Sequence, residues 1–168
     1  MLTSHELFGF MSPNLANEIL AFVHESDKPT YKTTLGAVAQ ARHVRPVFLE
    51  RQPRAQCHAA IISTLSRPAL EAAAANLIRV WLVKKQRQML VDFLNALELP
   101  NNEGVVEDLP ATMDDAKLKS AIDTLLTKYP GEAVAVYLNA FNDMNEANWP
   151  NLKTMLESDK RLQLGTAV

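Results

Sequence analysis

Apolar residues recur along this chain at spacings of three and four, and no segment of any length alternates apolar and polar positions with period two. The first spacing places side chains on one side of a helix, whereas alternation would mark a strand. The expected fold class is therefore all-α: a compact multi-helix bundle of eight or nine helices, with antiparallel neighbours wherever the connections are short. Stacked helical hairpins are the other packing the pattern permits, although no repeat period requires them.

The stretch 68–99 is the one the rest has to be built around. It holds no Gly or Pro between Pro68 and Pro100, and 20 of its 32 residues are apolar. Leu70, Ala74, Leu77, Ile78, Trp81 and Leu82 make a stripe in its first half. Met89, Leu90, Val91, Phe93, Leu94 and Leu97 make a second stripe on nearly the opposite side. Between them Lys84, Lys85, Gln86, Arg87 and Gln88 cover the full circumference of a helix, so no face there can be buried. One straight helix would run roughly 48 Å, longer than the diameter of about 40 Å of a compact chain this size. The pattern predicts two helices, or one sharply kinked, meeting at the surface near Lys84–Gln88, with Trp81, Leu77, Phe93 and Leu97 in one core. Pro68 suits a first turn, and Ser66 is placed to cap it.

Breakers divide the remainder. Residues 1–11 read as a short helix or apolar arm. Ser12 and Pro13 open a helix to about Ser26–Asp27, and Pro29–Thr30 open another to about Arg42, in which Gly36 and Ala41 are small enough for close packing. Val47, Phe48 and Leu49 read as a short turn that plugs the core. Pro53 starts a helix with Ala59, Ile61, Ile62 and Leu65 inward. Residues 100–111 form the one long loop, tacked down by Val105, Val106 and Leu109. Thr112 with Asp115 resembles a capping box. Further helices run through Leu118–Tyr129, from Pro130 to Met144, and from Pro150. The whole, 1–168, reads as a single helical domain with 165–168 as a frayed tail.

Composition narrows the function without naming it. An apolar share of 48% and a charged share of 21% are ordinary for a globular chain. One cysteine, Cys57, excludes an internal disulfide and suits a reducing compartment. No signal peptide and no membrane-length apolar run is visible, so a cytoplasmic protein without a membrane partner is expected.

The net charge of −2 conceals a polarity. Residues 28–91 carry eleven Lys and Arg against two acids, a balance of +9; residues 1–27 stand at −4 and residues 92–168 at −7. Such a segment either neutralises itself against the acidic ones or offers a surface to a partner.

No constellation that carries catalysis, metal or cofactor chemistry survives inspection. His5, His24, His43 and His58 lack a second His or a preceding Glu at helical spacing. Cys57 and His58 are adjacent and point about 100° apart on a helix, so they make a poor chelate. His58 reads as a surface or half-buried residue and Cys57 as a core filler. The five glycines are isolated, which excludes phosphate-cradling loops. Asn139, Asn142, Asn145 and Asn148 recur every three residues and read as a solvated face, or else as a recognition strip for a peptide or polar ligand.

The remaining candidates are cations: Arg42, Arg45, Arg51 and Arg54 around one loop–helix junction, and Lys84, Lys85 and Arg87 in the polar break. The first expectation is a non-catalytic protein–protein interaction or self-association module, its partner another protein or a second copy of the chain. Nucleic-acid or phospholigand binding through residues 42–87 is the alternative, although only Phe48 interleaves with the cations. A small-ligand or enzyme pocket between helices is a third possibility, which a sequence can hide.

Overall fold

In a computed structural model of the chain, residues 1–165 are described; the frayed tail expected at 165–168 lies, beyond Gly165, outside them. Among the described residues the chain is 73% helical, with ten α-helices, nine of them of seven or more residues, and no strand. The described residues gather into two compact units. One is Leu2–Trp81. The other begins at Leu82 and takes in Met1.

The N-terminal unit opens with α1 (Ser4–Phe10), α2 (Pro13–Ser26) and α3 (Lys28–Ala41). Ser12 caps α2, its hydroxyl accepting from the Leu15 amide at 3.2 Å, and Pro13 sits in the first turn. Asp27 alone joins α2 to α3 and caps the latter, accepting from Thr30 N at 3.1 Å. The two helices pack on each other, with Leu15, Ile19, Leu20 and Val23 of one and Leu35 and Val38 of the other buried. Gly36 is not a close-packing site: a Cβ there would meet nothing within 4 Å.

Then come the short α4 (Pro46–Glu50), α5 (Arg54–Leu65), a 3-10 turn at Pro68–Leu70 and α6 (Glu71–Lys84). Ser66 ends α5 rather than capping the turn at Pro68, its hydroxyl donating back to Ser63 O at 2.7 Å. Glu71, at the start of α6, accepts from the amides of Ser4 and His5 at 3.0 and 2.8 Å and sits 2.6 Å from His5 Nδ1. It therefore closes two of the orphan N–H groups of α1, those of Ser4 and His5.

The long central stretch is two helices. α6 ends at Lys84 and α7 (Arg87–Ala96) begins three residues later. Leu77 and Trp81 are buried in the N-terminal unit, and Phe93 and Leu97 are buried in the C-terminal one.

The C-terminal unit adds α8 (Asp115–Lys128), α9 (Gly131–Asn145), α10 (Pro150–Ser158) and a 3-10 turn at Lys160–Leu162. α7 packs on α8, and Asp92 of α7 accepts from the Tyr129 hydroxyl at 2.6 Å just beyond α8. The cap of α8 is Asp114, accepting from Lys117 N at 2.9 Å, and not Thr112.

α9 overturns a sequence expectation. Every residue from Ala133 to Asn142 is buried, Asn139 and Asn142 among them, so the first half of the asparagine row is not a solvated face, whereas Asn145 is half-buried and Asn148 exposed. Asn139 turns inward on its own helix, its Nδ2 donating to Ala135 O at 2.8 Å, and the half-buried Asn145 does the same to Phe141 O at 3.1 Å, whereas Asn142 Nδ2 donates to Met1 Sδ at 3.7 Å. Around α9 lies an aromatic cluster of Phe93, Tyr137, Phe141 and Trp149, with neighbouring ring centroids 5.2–5.9 Å apart. The Trp149 indole N–H donates to Pro110 O at 2.8 Å, fixing the end of the long loop.

Candidate functional site

The segment from the end of α3 to the start of α5 carries the first group of predicted cations. His43, at φ 56°, turns the chain out of α3 in the left-handed region, and the Val44 amide closes the turn on Ala39 O at 3.0 Å. Pro46 then opens α4, which packs on α3 and α5. Only Leu49 of α4 is buried. Val47 is 45% exposed and Phe48 57% exposed, so this element does not plug the core with three residues. The reason is angular: successive helical residues point about 100° apart, so three in a row span too wide an arc to face one side. With Leu49 inward, Phe48 and Val47 face out.

Arg42, Arg45, Arg51 and Arg54 are all at least partly exposed around this apolar pair. Arg42 donates to Thr64 Oγ1 at 3.3 Å, and Arg54 donates to His24 Nδ1 at 3.0 Å. None of the four forms an ion pair with a carboxylate among the described residues. Lys84, Lys85 and Arg87 stand at the α6–α7 junction, in the C-terminal unit, and none of them is buried. Arg87 pairs with Glu103 at 3.0 Å.

Beside the arginines lies a cavity of about 300 Å³, whose lining the sequence reading did not single out. His24 comes from α2, Tyr31 from α3, Glu50 from α4, and Arg54, Cys57 and His58 from α5, with Gln52 between the last two helices. Arg54, Cys57 and His58 stand at i, i+3 and i+4, which places them on one face of α5. His58 is 5% exposed, and is therefore more deeply buried than the surface or half-buried residue its sequence context suggested. The His24 ring meets Tyr31 edge-on at 4.4 Å, and each of these rings lies 6.1 Å from His58.

Electrostatics fix the protons here. A guanidinium only donates, so the Arg54 contact makes His24 Nδ1 an acceptor and puts the ring proton on Nε2. Burial, then the charge of Arg54, then His24 hold His58 below the usual histidine range. Burial and the neighbouring Cys57, whose Sγ is 4.0 Å away, push the Tyr31 hydroxyl up to about 12. At neutral pH the cavity thus presents an uncharged imidazole at His58 and a protonated phenol at Tyr31, with the side chains of Arg54, Glu50 and Cys57 in the same lining. No group of three or more His, Cys, Asp or Glu is arranged to hold a metal ion among the described residues. No helix among them is long and apolar enough to cross a membrane.

No protein family, curated protein or solved structure matches this chain.

Proposed function

We propose that the chain is a non-catalytic protein-interaction module that docks an acidic partner protein through residues 42–54. The supporting observation is the exposed pair Val47–Phe48 set among four arginines with no carboxylate partner. Aromatic residues and arginine are the types enriched where interfaces concentrate their energy. The guanidinium groups steer an acidic surface in and favour its register, while burial of Phe48 in an apolar seat supplies the affinity. A cytoplasmic setting belongs to the same reading, since the lone Cys57 is buried as a free thiol. Nucleic-acid binding is less well supported, because single strands are gripped by several stacking aromatics and Phe48 stands alone among these cations.

The test uses three labelled probes of equal charge: an acidic peptide with interspersed leucines, the same peptide with serines instead, and a single-stranded oligonucleotide. The leucine peptide should bind best, and Phe48→Ala should weaken it about tenfold or more. Tighter binding of the oligonucleotide, insensitive to Phe48→Ala and collapsing when salt is raised about fourfold, would overturn the proposal in favour of phosphate recognition. Sedimentation of the protein alone should show a monomer; self-association abolished by Phe48→Ala would replace the acidic partner by a second copy.

A further inference from the structure

We propose that the cavity at the start of α5 binds a small ligand carrying one oxyanion group, a carboxylate or a phosphoryl, held by Arg54, His58 and the N-terminus of α5. This site shares Arg54 with the docking surface but is different in kind: it needs neither Phe48 nor a macromolecular partner.

The first observation is the helix end. The opening N–H groups of a helix have no partner within it. At α5 the cap position is Pro53, which has no side-chain acceptor, and no other side chain caps the helix. Arg54, the first residue of that helix, lines the cavity, so the partial positive charge of the helix end lies beside it. The second observation is independent. His58 is 95% buried as a residue and lines the cavity. Its ring nitrogens are not among the buried atoms left without a partner, so they open onto the cavity, where a ligand can reach them. The third is Arg54, which engages His24 through one Nη and has further N–H donors left for a ligand.

The other lining groups define the ligand's remainder. Glu50 of α4 faces the same space, so a second anionic group is disfavoured and a hydroxyl or amine beside the oxyanion is favoured. Gln52 offers an amide in the same wall. The Tyr31 hydroxyl stays protonated across the physiological range and remains available as a donor. A volume of about 300 Å³ admits a compact molecule and excludes a dinucleotide.

Binding is coupled to a proton. The charged groups facing His58 are Arg54 on its own helix and Glu50 on α4, with His24 of α2, Tyr31 of α3 and Cys57 as the other titratable neighbours. In the empty site His58 titrates below the usual histidine range. An oxyanion beside it favours the imidazolium and raises that value. Affinity therefore increases as pH falls through the raised midpoint of the occupied site, and the gain is complete once the empty site is itself protonated.

The experiment follows the ring resonances of His58 by NMR against pH, with and without inorganic phosphate and, separately, glycolate. A saturable shift and a raised His58 midpoint are expected with at least one probe; response to only one narrows the oxyanion class. Arg54→Gln should weaken binding about tenfold or more, and His58→Gln should remove its pH dependence. Arg79→Gln, which deletes one exposed cation on α6, should change neither. The proposal is overturned if neither probe shifts His58 saturably, or if Arg79→Gln weakens binding as much as Arg54→Gln does, since the effect would then be general screening.

Discussion

Two glycines show how differently the same residue can be used. Gly104, in the long loop, sits at φ 86°, and a Cβ there would lie 2.8 Å from the Cβ of Leu90 on α7. Both the backbone conformation and the space exclude a side chain. Gly104→Ala should cost about 1–3 kcal/mol, read as a lower urea midpoint. Gly36, inside α3, has nothing within 4 Å of the missing Cβ. Gly36→Ala should therefore stabilise by roughly 0.5–1 kcal/mol, because alanine is the better helix former. Isolation from other glycines was visible in the chain, but which one is obligatory was not, since that depends on Leu90 coming close to the loop. Phe48 teaches the same lesson. Its apolar character was legible; its outward direction depends on which of three neighbours the core accepts, and the core took Leu49.

Elements were the most legible level, and their ends the least. The polar run at Lys84–Gln88 does separate two helices, because a full polar turn cannot lie against a core. The first half of the asparagine row on α9 is buried against expectation, because an amide such as that of Asn139 can donate to the carbonyl four residues back and so enter a core. Caps made over distance are invisible to local patterns, and Glu71 is the main case. It reaches across 66 residues to His5. Burial acts to raise its pKa, but the bonds from the His5 and Ser4 amides and the His5 ring outweigh this and hold it below the usual carboxylate value. A depressed folded-state pKa contributes stability that is present above the unfolded value, about 4.3, and lost as pH falls through the folded one. Glu71→Gln should cost about 1 kcal/mol at neutral pH, a figure discounted for the partial exposure of its side chain. The gap between variant and wild type should close as melting is measured at successively lower pH below that value. A gap that persists unchanged in acid would mean that shape, not charge, holds α1 in place.

Across the whole molecule the question is where the balance of +9 over residues 28–91 is spent. If it were neutralised internally, the arginines of the 42–54 segment would be struts, each with a carboxylate beside it. The carboxylates go elsewhere: Asp92 to Tyr129 and Lys128, Asp123 and Asp159 to Arg161, Glu103 to Arg87, Glu71 to His5. Arg45 and Arg51 have no such partner and stand exposed on either side of α4. The polarity of the chain was thus legible as a sum but not as a surface, because a count of charges carries no information about which of them meet. The consequence is a test of stability against charge. Exposed charges without ion-pair partners contribute little to folding, so Arg45→Glu with Arg51→Glu should shift stability by no more than about 0.5 kcal/mol. That small shift should shrink further as salt is raised and screens the exposed charges. In the same protein the double reversal should abolish binding of the leucine-bearing acidic peptide, since two attractions become repulsions. A variant that unfolds readily while an acidic partner still binds would place these arginines inside the architecture and remove them from any docking role.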